Sequence, residues 1–262
     1  MTDIHTATKD FSALQVNVED GFVIARMNRP EVRNAIDETM VEEFHTLCGI
    51  LERDPQILVV TGCVAETSKG PRGIFASGAD IAQLRERRRE DALRGINSGV
   101  FHRIAKLPSP VIAAIDGFAL GGGLELALAA DFRIATPGAK FGQPEANLGI
   151  IAGAGALWRL KEAVGNPLAK EILLTGRVLT GEEAAQSHLV NELFEPEELE
   201  NGAREWAKKI AALDPLAVRL SKQLFDMPVE AHPAIDNIAQ AVLFESEAKF
   251  DRMQAFLDRK KK

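Results

Sequence analysis

Only two cysteines, Cys48 and Cys63, occur in the 262 residues. That is too few for a disulfide framework and points to a reducing compartment. The N-terminus, MTDIHTATKD, lacks an apolar core and carries acids, so it does not read as a secretory signal. No apolar run reaches membrane-spanning length, and the longest candidate, around Val111–Ala130, is interrupted by glycines and acids. The five histidines, His5, His45, His102, His188 and His232, show no ligand spacing, which argues against a metal site. Positive charge is not in excess either: a net charge of −7 argues against nucleic acid as the main partner. There is no internal repeat and no low-complexity tract. These absences leave the expectation of a cytoplasmic globular protein with no metal, membrane or nucleic-acid partner.

What is present is ordinary in bulk, at 46% hydrophobic and 26% charged residues, and the length suits one large domain or one domain with a small appendage. Residues 1–10 read as a flexible leader. Phe11–Val18 and Phe22–Met27 flank the turn Glu19-Asp20-Gly21, the pattern of a β-hairpin. Asn34 is a candidate cap for a helix from about Ile36 to Arg53. Ile57–Thr61, Val111–Ile115 and Phe132–Ala135 are short apolar runs of the buried, parallel-sheet type. Residues 62–73 read as a polar loop, and Phe141–Gly155 as a glycine-rich one. After that the chain turns helical, over Leu157–Val164, Leu168–Leu174, Glu182–Ser187, Pro196–Ala212 and Ala234–Arg259. Strand–helix alternation followed by helices predicts an α/β fold, a mostly parallel sheet covered by helices.

Three segments carry chemistry. Val111–Asp131 runs from a buried strand through Gly121-Gly122-Gly123 into an apolar helix whose one acid is Glu125. Glycines at a helix start present free backbone N–H groups, and a carboxylate among Leu124, Leu126 and Ala127 is costly unless it is paired, hydrated or neutralised. Phe75-Ala76-Ser77-Gly78-Ala79-Asp80 is a second strand end before a helix. Two such ends side by side offer two N–H groups to one oxygen. Phe141-Gly142-Gln143-Pro144-Glu145 supplies a second carboxylate. Two acids beside an oxyanion hole can activate water and deliver a proton next to a polarised carbonyl, and like charges so close leave one of them protonated.

In this order and spacing, these motifs resemble the crotonase (enoyl-CoA hydratase/isomerase) superfamily. The likeness runs from Asn28-Arg29-Pro30 and Asn34-Ala35 through Ser77–Asp80, Pro110–Gly123, Phe141–Gly155 and Leu174-Thr175-Gly176 to the C-terminal helix. It implies a spiral of repeated ββα units with a C-terminal helical region: an acyl-CoA core over 11–195, and 196–262 packing on that core or on a neighbouring subunit. It also implies an acyl-CoA substrate, with coenzyme A part of the thioester and no separate cofactor, and assembly as a homotrimer or hexamer.

The function implied is that of an enoyl-CoA hydratase, with the carbonyl oxygen held by the N–H groups of Ala79 and Gly122. Glu125 and Glu145 are the implied acid and base, Gly153 lies near their water, and Ala35, Ser77, Asp80, Gly121, Phe256 and Arg259 are implied substrate contacts. The chain departs from the family at Ala152, where proline is common, at Ala156-Leu157-Trp158 before Arg159, and at Ala82, where a cation is frequent. The Arg85–Arg89 run reads as a solvated helix face or a neighbour of the CoA phosphates. Two alternatives remain open: an isomerase, hydrolase or decarboxylase on the same cradle, and a silent scaffold.

Overall fold

The computed structural model describes residues 4–68 and 70–259. Its centre is a six-stranded sheet in the order Leu14–Glu19, Phe22–Met27, Ile57–Thr61, Val111–Ile115, Phe132–Ala135 and Glu192–Leu193. The first pair is antiparallel, with Leu14 opposite Met27; every later neighbour is parallel. Ile57–Thr61 and Val111–Ile115 are buried along their whole length, which is why both read as unbroken apolar runs.

Alternate side chains of these strands enter two cores. Val23, Leu58, Val60, Val111 and Ala113 pack with Phe44, Leu47, Phe101 and Ile104 from helices Glu38–Arg53 and Ile96–Ala105. On the other face, Ile24, Val59, Ile112 and Ile134 meet Leu199, Ala203 and Ala207 of helix Leu199–Ala211. The sheet is thus a covered layer, as expected of an α/β domain.

The structure departs from the sequence reading in several places. Helix Glu38–Arg53 is capped by Asp37, whose Oδ1 accepts from Met40 N at 2.9 Å, and not by Asn34. Asn34, fully buried with φ +53°, instead donates to the carbonyls of Ile74 and Phe75 and accepts from Arg29 N. The expected loop over 62–73 contains an antiparallel hairpin, Cys63–Thr67 against Gly70–Ile74. Within the expected leader, Ile4–Thr8 is helical and Ile4 is buried; residues 1–3 lie outside the described residues. The two helices expected over 157–174 are both present within Ala156–Thr175, separated by a non-helical kink at Gly165 as the sequence reading has them.

Past the core, a helix the sequence did not reveal, Pro215–Phe225, is capped by Asp214 and tied down by Lys222, which donates to Asp131 at 2.7 Å. The single terminal helix expected over Ala234–Arg259 is two, Ala234–Phe244 and Glu247–Arg259. None of these last three helices contains a buried residue. Among the described residues no helix is long and apolar enough to cross a membrane.

Candidate active site

Sheet register brings the three chemistry-bearing segments together. Phe118–Leu120 and Lys140–Gly142 pair in parallel, Leu120 beside Gly142, and Gly121 N donates to Gly142 O at 2.9 Å. Both strands therefore leave in the same direction, one into Gly121–Gly123 and the other into Gln143–Glu145. The Phe75–Asp80 segment joins them: Ala76 N donates to Phe118 O at 2.8 Å, and Leu120 N donates to Ala76 O at 3.1 Å. Helix Gly122–Ala129 starts pressed against this segment, so that a Cβ on Gly123 would stand 2.2 Å from Ala76 O. At Gly121, φ +52°, a Cβ would stand 2.8 Å from Glu145 Oε1. Close approach to backbone demands glycine at 123, and the left-handed φ favours it at 121.

Two amides are left over. On either side of Ala79, Ile36 N donates to Gly78 O and Asp80 N to Ile36 O, a bridge that passes over the Ala79 N–H. Gly122 is the first residue of its helix, where an N–H has no intrahelical acceptor. Neither amide donates to a protein acceptor among the described residues. A Cβ on Gly122 would lie 3.3 Å from Ala79 N, so the two groups are immediate neighbours.

Glu125 is 4% exposed in the first turn of that helix. Its Oε1 accepts from Ala154 N at 2.6 Å and from Ala156 N at 3.2 Å, the latter being the first residue of helix Ala156–Thr175. A carboxylate at a helix N-terminus is favoured by the orphan N–H groups there. Burial nevertheless prevails and raises the carboxyl above its ordinary range, opposed by those N–H groups and by the Arg159 guanidinium. Glu145, also buried, is pushed up to about 7, chiefly by burial and further by the Glu125 charge, against its own backbone N–H. Gln143, 1% exposed, sits against the same carboxyl. With its nitrogen turned inward it donates to both Glu145 oxygens, at 3.0 and 2.8 Å; the opposite orientation suits a protonated Glu145.

These groups border one cavity of about 690 Å³ lined by Ser77, Ala79, Gly121, Gly122, Glu125, Glu145 and Gly153. The other sequence-predicted contacts lie outside its walls. Ala35 O accepts from Arg29 Nη1, Asp80 caps helix Ile81–Glu86 by accepting from Gln83 N, and Phe256 and Arg259 stand on exposed helix Glu247–Arg259. Sequence reasoning assigned no role to Arg159 or to the amides of Ala154 and Ala156, because each meets Glu125 only through tertiary contact, nor to Gln143, whose contact with Glu145 two residues on depends on the local turn. An unpaired amide pair beside two buried acids, both held up toward the neutral form, can bind a carbonyl oxygen and move protons at the atoms next to it.

The family model described as Enoyl-CoA hydratase/isomerase matches residues 17–262. Short-chain-enoyl-CoA hydratase of Clostridium acetobutylicum is 37% identical over 249 residues, covering 93% of this chain and 94% of that protein. Crotonyl-CoA hydratase of Syntrophomonas wolfei is 36% identical over 251 residues, with 93% and 94% covered. Among solved structures, an enoyl-CoA hydratase from Bacillus anthracis superposes with a TM-score of 0.87 at 30% identity, over 95% of this chain and 97% of that one.

Proposed function

The chain belongs to the enoyl-CoA hydratase/isomerase family, and from that premise we propose that it hydrates a trans-2-enoyl-CoA, reversibly and with syn addition, to a 3-hydroxyacyl-CoA. The observation that carries this reading is the pair of buried carboxyls, Glu125 and Glu145, on the wall that also holds the unpaired amides of Ala79 and Gly122.

In the proposed reaction the thioester oxygen accepts from both amides, and the negative charge that builds on it is stabilised by donors already in place. Glu125, pulled toward ionisation by three backbone N–H groups and Arg159, takes a proton from water as its oxygen bonds to Cβ. Glu145, protonated near neutrality, gives a proton to Cα. The enzyme is left with the proton moved from one carboxyl to the other, and one transfer between them restores the starting state. Coenzyme A enters as part of the substrate.

Assembly is part of the proposal. Ile238, Val242, Phe250 and Met253 are more than half exposed on the terminal helices, more apolar surface than a solvated helix carries, and we assign them to contacts in a trimer or a pair of trimers. A monomer by light scattering contradicts that assignment. The reaction is tested by mixing the protein with crotonyl-CoA and following the absorbance of the conjugated thioester. Steady loss supports hydration, and no loss with this or longer 2-enoyl-CoA thioesters eliminates it.

A further inference from the structure

Glu125 and Arg159 meet the same turn from two different helices. Ala154 N and Ala156 N donate to Glu125 Oε1. Gly155, between them, gives its side-chain space to the Arg159 guanidinium: a Cβ there would stand 2.3 Å from Nη1. Among the described residues no hydrogen bond joins guanidinium and carboxyl, and Nη1 is buried without any acceptor. The Arg159 Cζ lies 5.0 Å from the centre of the Trp158 ring, a contact that holds the charge without neutralising it. A buried cation with an unpaired donor costs stability, so packing does not explain its presence.

The other charges near Arg159 are engaged or exposed. Its outer side borders a second cavity, of about 890 Å³, between helices Ala156–Thr175 and Pro215–Phe225. There Asp131 takes Lys222 and Asp226 takes Lys106, each at 2.7 Å. Asp214 caps its own helix, and Arg133 donates to the carbonyls of Ala130 and Leu189. Glu162, on the same helix as Arg159, is exposed, where water and salt screen it. Glu125 is different. It is buried, no cation bonds to it, and the turn that supplies its donors is the one Arg159 packs against.

We propose that Arg159 is the positioning residue that makes Glu125, and not Glu145, the base: its charge acts across the 154–156 turn and keeps the Glu125 carboxyl ionised while Glu145 holds the proton. The inference rests on the hydratase reading above and says how the site tells two like acids apart. A fixed charge is screened little in so dry a setting, so no direct contact is needed.

The test follows kcat/KM for crotonyl-CoA from pH 5 to pH 9 in wild type and in two neutral variants, Arg159→Met and Arg159→Gln; either one that folds decides. Where both acids are protonated, the reactive form arises by loss of the Glu125 proton, and removal of the cation is felt in full. Where both are ionised, it arises by protonation of Glu145, and the effect on Glu125 cancels. We expect a deficit of about tenfold at pH 5 that closes toward pH 9. A deficit of one size at every pH is what a merely structural role gives, and it overturns the proposal, as does the absence of a deficit at pH 5. The Glu125 carboxyl is also read directly, by carbon NMR of protein labelled at the glutamate carboxyls, its signal assigned by loss in Glu125→Gln. Its titration should move to higher pH in the neutral variants; an unmoved titration overturns the proposal. That reading needs no substrate, so a moved titration without turnover of crotonyl-CoA supports the control of Glu125 by Arg159 and removes only the hydratase assignment.

Discussion

The amide nitrogen of Ala79 lies 3.3 Å from the point where Gly122 would carry its Cβ. One residue ends a strand-like segment and the other starts a helix, 43 positions later (122 − 79). Their N–H groups meet only because Ala76 bonds to both Phe118 and Leu120 on the strand that leads into the glycines. The proposed oxyanion hole is a product of strand register, and each of its two donors is a backbone group that no side-chain substitution removes directly.

Proline does remove one. Gly122 is the first residue of its helix, a position where proline is tolerated because the N–H has no intrahelical partner. Gly122→Pro is therefore expected to yield a folded protein with hydration slowed by about 10²–10³. Circular dichroism and crotonyl-CoA kinetics check this together; a folded variant with normal turnover removes Gly122 from the oxyanion hole.

The two acids are separable by isosteric change. Glu125→Gln and Glu145→Gln should each lower kcat by about 10²–10⁴ while CoA still binds. Near-normal kcat in either variant withdraws the role given to that residue.

Stability should respond to pH in a direction set by Glu145. The folded chain holds this proton to about 7, whereas the ordinary value is 4.5. Between those values the folded state binds more protons than the unfolded one, so stability falls as pH rises through the window. Glu145→Gln removes that loss. Its melting temperature should exceed that of the wild type by several degrees at pH 8, with the advantage gone at pH 4.5. A variant no more stable than wild type at pH 8 contradicts the burial cost assigned to the carboxyl.

Much of this was legible in the residues. Ile57–Thr61 and Val111–Ile115 are continuous apolar runs because both sheet faces are covered, and Glu125 stood out because its helix offers no other polar group. The hairpin over 63–74 was not legible: Val64 is 61% exposed and Pro71 and Arg72 face solvent, so no alternation betrays the pairing. Asn34 looked like a cap because asparagine before an apolar-periodic segment usually is one. Asp37, three residues on, holds that position, and Asn34 spends its amide on two carbonyls some 40 residues away. The break at Gly165 was legible, since Gly165 and Pro167 punctuate the two helical patterns, whereas helix Pro215–Phe225 went unread although Asp214 and Pro215 supply a local start signal.

Asn34 accordingly has a structural role open to test. Its side chain makes three backbone hydrogen bonds at 2.7–3.0 Å in a fully buried site. Asn34→Leu leaves those groups unpaired and should cost about 2–4 kcal/mol in urea unfolding. A loss below about 1 kcal/mol contradicts the accounting.

The central claim is that both carboxyls act from one side of a single bound thioester. Hydration of crotonyl-CoA in heavy water, with the product read by proton NMR, tests it most directly. The account predicts one diastereomer, with deuterium at Cα and hydroxyl at Cβ added to the same face. Anti addition, or deuterium scrambled over both faces at Cα, contradicts it.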